Sequence, residues 1–324
     1  MRIALWPAFG LLPVMLLSAL WAAGVAHHPL AHGGWIAWPL AFLGLYFMLR
    51  QHDQALDTRL TTTLHAVTLW LLTALASWEV SWAIGQTAGS GGAWSMVAWG
   101  IVPAAVLALL APAVELIRWP FQAHRAAYAV VAASGFALYL AAWSLYTDAA
   151  VASPSAPLPY VPVLNPLDIV QALVILLLTR IWQWQRTEMT AAPSSLDPRA
   201  VVVGIVLVGF VWLNAVLLRT LHLWVGIPYE LEAMLRSTLA QSALSLLWAF
   251  TALTTMLVAT RIRARLLWLT GATLLVVVVI KLFLVDLSSI GTIERIVSFI
   301  GVGLLMLVIG YFSPLPPAEA EESR

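Results

Sequence analysis

Ala200-Val-Val-Val-Gly-Ile-Val-Leu-Val-Gly-Phe-Val-Trp-Leu-Asn-Ala-Val-Leu-Leu-Arg219 is the stretch that decides the fold. Between Ala200 and Arg219 it carries no charge, and its one strongly polar side chain is Asn214. Twenty residues at a rise of about 1.5 Å make a helix about 30 Å long, the thickness of a bilayer's hydrocarbon core. A backbone in hydrocarbon must satisfy its own hydrogen bonds, and a helix does so within one segment.

Working outward, nine further apolar stretches have comparable character. All ten fall near residues 5–26, 35–50, 62–85, 94–113, 126–147, 167–184, 200–219, 238–260, 266–286 and 293–312, the second being the shortest. The composition agrees: 62% of the 324 residues are hydrophobic and 10% charged. Soluble domains carry about 45–50% apolar and about 25% charged residues, and cannot hide this much apolar surface. The expected fold is therefore all-α, a polytopic transmembrane bundle of about ten spans. Residues 1–313 form one multi-pass domain, and 314–324 a short acidic tail, disordered in the cytoplasm. The 17 tryptophans suit membrane–water interfaces, where the ring is buried and its N–H stays wet. The first segment resembles a signal peptide, but its apolar run exceeds the usual length of about 7–15 residues, so an uncleaved anchor is expected.

Orientation follows from the basic residues. With the N-terminus in the cytoplasm, Arg2, Arg50, Arg59, Arg118, Arg125, Arg180, Arg186, Arg199, Arg261, Arg263, Arg265 and Arg324 fall inside. Only Arg219, Arg236, Lys281 and Arg295 fall outside, a split of 12 to 4. An even number of spans returns the C-terminus to the cytoplasm. The loop from Asp148 to Pro166 lies outside, with no positive charge and five prolines that favour an extended path.

The four outer cations have polar company. Glu79, Asn165, Asp168, Asn214, Arg219, His222, Lys281, Asp286, Glu294 and Arg295 all map near the outer ends of helices three, six, seven, nine and ten. A charge at the bilayer centre costs at least about 2.5–3.5 kcal/mol, so such groups pair or line wet cavities. An outward-facing polar cleft is the expected site. Simpler accounts stand beside it. Asn165-Pro166-Leu167-Asp168 reads as an N-cap, a first-position proline and a first-turn acid. Ser237 and Thr292 read as caps, and Glu294 complements a helix dipole. Lys281 and Asp286 suit interfacial anchors. Glu79 has no such account.

His27, His28 and His32 crowd the first outer loop, weak evidence for a metal, and neither metal nor cofactor is expected. With no cysteines, disulfides and thiolate chemistry are excluded. The net charge of +1 gives no field for nucleic acid, and none is expected as a partner. P-loop, dinucleotide glycine, HExxH and GxSxG patterns do not occur. The expected partner is the lipid bilayer, with a protein or a lipid-linked ligand as a further possibility.

Several segments resemble a bacterial family known as domain of unknown function 2339, a multi-pass membrane protein. They are Pro159-Tyr-Val-Pro-Val-Leu-Asn-Pro-Leu-Asp168, Trp212-Leu-Asn-Ala-Val-Leu-Leu-Arg-Thr-Leu-His222 and Lys281-Leu-Phe-Leu-Val-Asp-Leu287. Glu294-Arg-Ile-Val-Ser-Phe-Ile-Gly-Val-Gly303 and Gly310-Tyr-Phe-Ser-Pro-Leu-Pro-Pro317 complete the set. The resemblance is specific over 159–317, and longer members make this chain look like the family's C-terminal part. It implies a bacterial inner-membrane location and carries no activity. Two functions fit: a non-enzymatic envelope component, transporter-like or scaffold, or an enzyme acting on a lipid-linked or envelope substrate at the outer face. In the second, Glu79, Asp168 or Asp286 would be the base, and Arg219, Lys281 or Arg295 the clamp.

Overall fold

In the computed structural model of the chain, the described residues are 6–53, 56–88, 93–152, 158–189, 197–282, and single positions 300, 303 and 307. They are helical throughout, apart from turns and short connections. The helices are α1 (Trp6–Val25), α2 (Gly34–His52), α3 (Thr58–Ala88), α4 (Ala93–Leu116), α5 (Ala133–Ala150), α6 (Pro166–Met189), α7 (Pro198–Val225), α8 (Leu231–Arg236), α9 (Thr238–Arg261) and α10 (Arg265–Lys281). Two π-helical segments, Arg118–Gln122 and Ala126–Ala132, lead from α4 into α5. Seven helices, α2 to α7 and α9, are long and apolar enough to cross a membrane. α1 and the 17-residue α10 occupy two more of the expected spans. The tenth, 293–312, lies almost wholly outside the described residues, as does the acidic tail. The short helix α8 was not anticipated.

The chain divides into two compact units, Met1–Val216 and Leu217–Arg324, with the boundary inside α7. In the first unit, Leu107, Leu110 and Val114 of α4 pack with Tyr128, Leu140 and with Leu167 and Val174 of α6. A second cluster joins Leu12 and Met15 of α1, Leu45 and Leu49 of α2, and Leu64 and Leu71 of α3. α3 buries polar side chains at Thr61, His65, Thr68, Thr73 and Ser77. Its hydroxyls bond back to carbonyls four residues earlier, as Thr68 does to Leu64 at 2.6 Å and Ser77 to Thr73 at 2.8 Å. That local bond lets a polar group sit in apolar surroundings without an outside partner.

Two tryptophans key helices together by entering glycine notches. A Cβ on Gly100 of α4 would lie 2.4 Å from the Trp143 ring of α5, and one on Gly135 of α5 would lie 2.2 Å from the Trp70 ring of α3. Each indole then donates to a carbonyl beside its notch: Trp143 to Met96 at 3.1 Å, and Trp70 to Ala132 at 3.2 Å. Without hydrophobic drive between helices in lipid, such close approach at small residues holds them together. The 126–132 segment supplies further acceptors, since π turns disturb the regular ladder. Gln185 of α6 donates to Ala129 O at 3.0 Å and to Ser134 Oγ at 3.1 Å.

In the second unit, α9 and α10 form a hairpin across the Arg261–Arg265 turn, where Arg263 takes a positive φ of 56°. Gly271 admits Met256 and the Ala252 carbonyl at close range. Ser237 caps α9, accepting from Ala240 N at 3.3 Å, as its sequence position implied.

Candidate functional site

Glu79 projects from the second half of α3 toward the loop that joins α1 to α2. His28 Nδ1 lies 3.1 and 3.0 Å from its two carboxylate oxygens, and Leu30 N–H donates to Oε2 at 3.2 Å. Trp82, almost one turn further along α3, stacks on the His28 ring at 3.7 Å. Glu79 therefore pins the first loop to α3, and His28 separates in role from His27 and His32.

Asn165 and Asp168 sit together and buried at the start of α6. Asn165 Oδ1 accepts from Asp168 N at 3.0 Å, the expected cap. Asn165 Nδ2 donates to Asp168 Oδ2 and, at 3.3 Å, to Val161 O. Asp168 Oδ2 also accepts from Val163 N at 3.2 Å. Val163 has φ of +66°, rarely adopted by a β-branched residue, so the Asn165–Asp168 pair holds a strained loop. One turn along, Gln171 donates to Asp148 Oδ1 at 2.8 Å and Thr147 Oγ1 at 3.1 Å, tying α6 to the end of α5. Gln171 lies three residues after Asp168 on a buried face that includes Leu167, Val170, Val174, Leu178 and Ile181. That i, i+3, i+4 spacing was the signal that would have found it.

Asn214 donates to Phe210 O at 2.7 Å within α7. In the second unit Arg219 is fully buried, and His222 Nδ1 lies 2.7 Å from Ile227 O. Lys281 donates to Gln241 O at 2.9 Å and Ser245 Oγ at 2.7 Å, so α10 reaches across to α9 instead of snorkelling. Arg236 pairs with Glu232 in solvent, a contact of small worth. Asp286, Glu294 and Arg295, with the Thr292 cap, lie outside the described residues. Among those described, Glu79 and the Asn165–Asp168 pair have different partners within the first unit.

A third constellation in the first unit escaped the sequence reading. Asp53 follows α2, His65 lies in the second turn of α3, and His124 stands between the two π-helical segments. Their ligand atoms all lie within 4.8 Å of one another. His124 Nε2 is 2.7 Å and His65 Nε2 4.0 Å from Asp53 Oδ1, and the two rings stack at 4.1 Å. Asp53 Oδ1, His65 Nε2 and His124 Nε2 are buried atoms without a well-formed hydrogen bond. The outer faces of two of the groups are held: Trp119 Nε1 donates to Asp53 Oδ2 at 2.9 Å, and His65 Nδ1 lies 2.9 Å from Tyr128 OH. Nothing in the spacing 53, 65 and 124 announces this; only the folding of three separate elements brings them together.

A family model described as "Predicted membrane protein (DUF2339)" matches residues 1–316. The chain belongs to this family. The match extends the resemblance beyond 159–317 to nearly the whole chain, so Glu79 and the Asp53 constellation fall within it as well. The family's function is unknown. No curated protein and no solved structure matches the chain.

Proposed function

We propose that this family member is a non-enzymatic inner-membrane component that acts as a scaffold, binding a protein partner through its 158–165 loop at the outer face. One observation carries the reading: the polar side chains nearest that loop are engaged in holding it. Asn165 and Asp168 clamp the strained Val163, and Tyr160 OH donates to Val216 O at 3.3 Å. What the clamp displays is apolar, with Leu158 55% and Leu164 72% exposed. A rigid loop with outward apolar side chains and no positive charge suits protein recognition, since ordering is already complete before binding. A catalytic acid must reach its substrate's proton. Glu79 instead has both oxygens against His28 and one on Leu30 N, which favours a fastening role.

Complementation of a deletion strain, scored by envelope stress, tests this. Leu158→Glu with Leu164→Glu should accumulate normally and fail to complement. Glu79→Gln should complement in proportion to the folded protein that remains. If Glu79→Gln accumulated with wild-type stability and still failed, the enzyme reading at the outer face would replace this one.

A further inference from the structure

The end of the first unit that holds Asp53 is remote from Glu79. His65 and Glu79 are fourteen residues apart on α3, about 21 Å along its axis. We infer that Asp53, His65 and His124 form a binding site for a late first-row divalent metal ion, Zn2+ foremost, that clamps α2, α3 and the turn before α5.

Chemistry supports the donor set. Two imidazoles and one carboxylate suit Zn2+, and three protein ligands leave a fourth position for water. The surrounding bonds match what metal ligands require, since a ligating ring or carboxylate is oriented by a partner on its far atom. Trp119 performs that task for Asp53 and Tyr128 for His65. In the tautomer whose Nδ1–H donates to the Tyr128 hydroxyl, His65 Nε2 presents its lone pair beside Asp53 and His124. His65 is fully buried and cannot turn to water for a partner. Leaving such an atom unsatisfied costs about 1–3 kcal/mol, so its placement beside two other ligand atoms calls for an occupant.

Geometry is near what an ion needs. Two ligands about 2.1 Å from a tetrahedral ion lie about 3.4 Å apart. The observed 2.7 and 4.0 Å fall on either side of that value. The rings stack with planes 23° apart, so their in-plane lone pairs do not converge steeply on one point between them. Ligation therefore requires one ring to turn out of the stack. His65 is locked by Tyr128, whereas the His124 side chain keeps 16% exposure and Asp53 22%, which gives a mobile ligand and an entry path. Neighbouring cations do not block it: the Arg50 guanidinium lies over the Trp119 ring at 5.4 Å, and Arg125 pairs with Glu115.

The test uses the full chain in detergent, stripped with EDTA, incubated with Zn2+ or Co2+ and desalted. One metal per chain by elemental analysis is expected, with the visible spectrum of four-coordinate Co2+. His65→Ala, His124→Ala and Asp53→Ala should each lose it, while His27→Ala with His32→Ala should keep it. Trp119→Phe keeps every ligand and should weaken Zn2+ binding roughly 10–100-fold in competition with a chelator dye. The wild-type Co2+ spectrum judges the site even if an alanine variant fails to fold. No retained metal, a six-coordinate water-rich Co2+ spectrum, or retention unchanged in folded His124→Ala would overturn the site and leave a hydrogen-bonded His–Asp–His cluster.

Discussion

Gly135→Ala is the sharpest probe of how this bundle is held. The added methyl would sit 2.2 Å from Trp70 Cζ2 and 2.7 Å from Cε2, where carbon pairs prefer about 3.5–4.0 Å. Backbone lies on one side of the clash and a wedged indole on the other, so the ring must retreat by more than about 1 Å. Such overpacking costs about 1–3 kcal/mol. Retreat also breaks the 3.2 Å bond from Trp70 Nε1 to Ala132 O, losing about 0.5–1.5 kcal/mol. Against this, alanine gains about 1 kcal/mol of helix propensity over glycine. The net expectation is a loss of about 1–3 kcal/mol. In a Trp70→Leu background the clash and the bond are both gone, and Gly135→Ala should be neutral or stabilising by up to about 1 kcal/mol. The coupling between the two sites is therefore about 1–4 kcal/mol, readable by a double-mutant cycle from unfolding in mixed micelles. A single Gly135→Ala variant as stable as wild type would show that Trp70 does not occupy the notch.

Gly100→Ala should behave alike, rescued by shrinking Trp143, and thermal melts of the single and paired variants check it. Ser237→Ala removes the cap of α9 and should cost about 1 kcal/mol in the same unfolding assay. Lys281→Met leaves Gln241 O and Ser245 Oγ without their charged donor, and should destabilise by about 1–3 kcal/mol; an unchanged melt would show that the ammonium bonds elsewhere. Because the chain has no native cysteine, single-cysteine variants report topology cleanly. A membrane-impermeant maleimide should label Leu164→Cys in intact cells and spare Arg263→Cys, and the reverse pattern would invert the proposed orientation.

The helices were legible because lipid imposes one rule, a run of about 20 apolar residues, and α3, α4, α6, α7 and α9 each obey it. Caps were legible too, since Asn165 and Ser237 act on backbone only three residues away. The partners of Glu79 and Lys281 were not, because His28 lies 51 positions from Glu79, and Gln241 lies 40 from Lys281. Polar residues at one predicted depth therefore suggested a common cleft, although depth says nothing about azimuth around each helix. The Asp53, His65 and His124 group was missed for the same reason. His65 lies inside an apolar run and His124 in a basic loop; their proximity depends on how α3 rotates against the segment before α5.

That rotation is set by the irregular stretch 126–132. An α-helix advances about 100° per residue, so one residue more or fewer there would turn everything beyond it by more than a quarter circle. Tyr128 meets His65 from inside the stretch, and Gly135 receives Trp70 just past it. The stretch thus acts as a vernier between two gears, meshing the histidine cluster with the tryptophan notch. Excising a single alanine there would yield a smoother helix whose teeth no longer engage, a lesion no substitution at either end could mend.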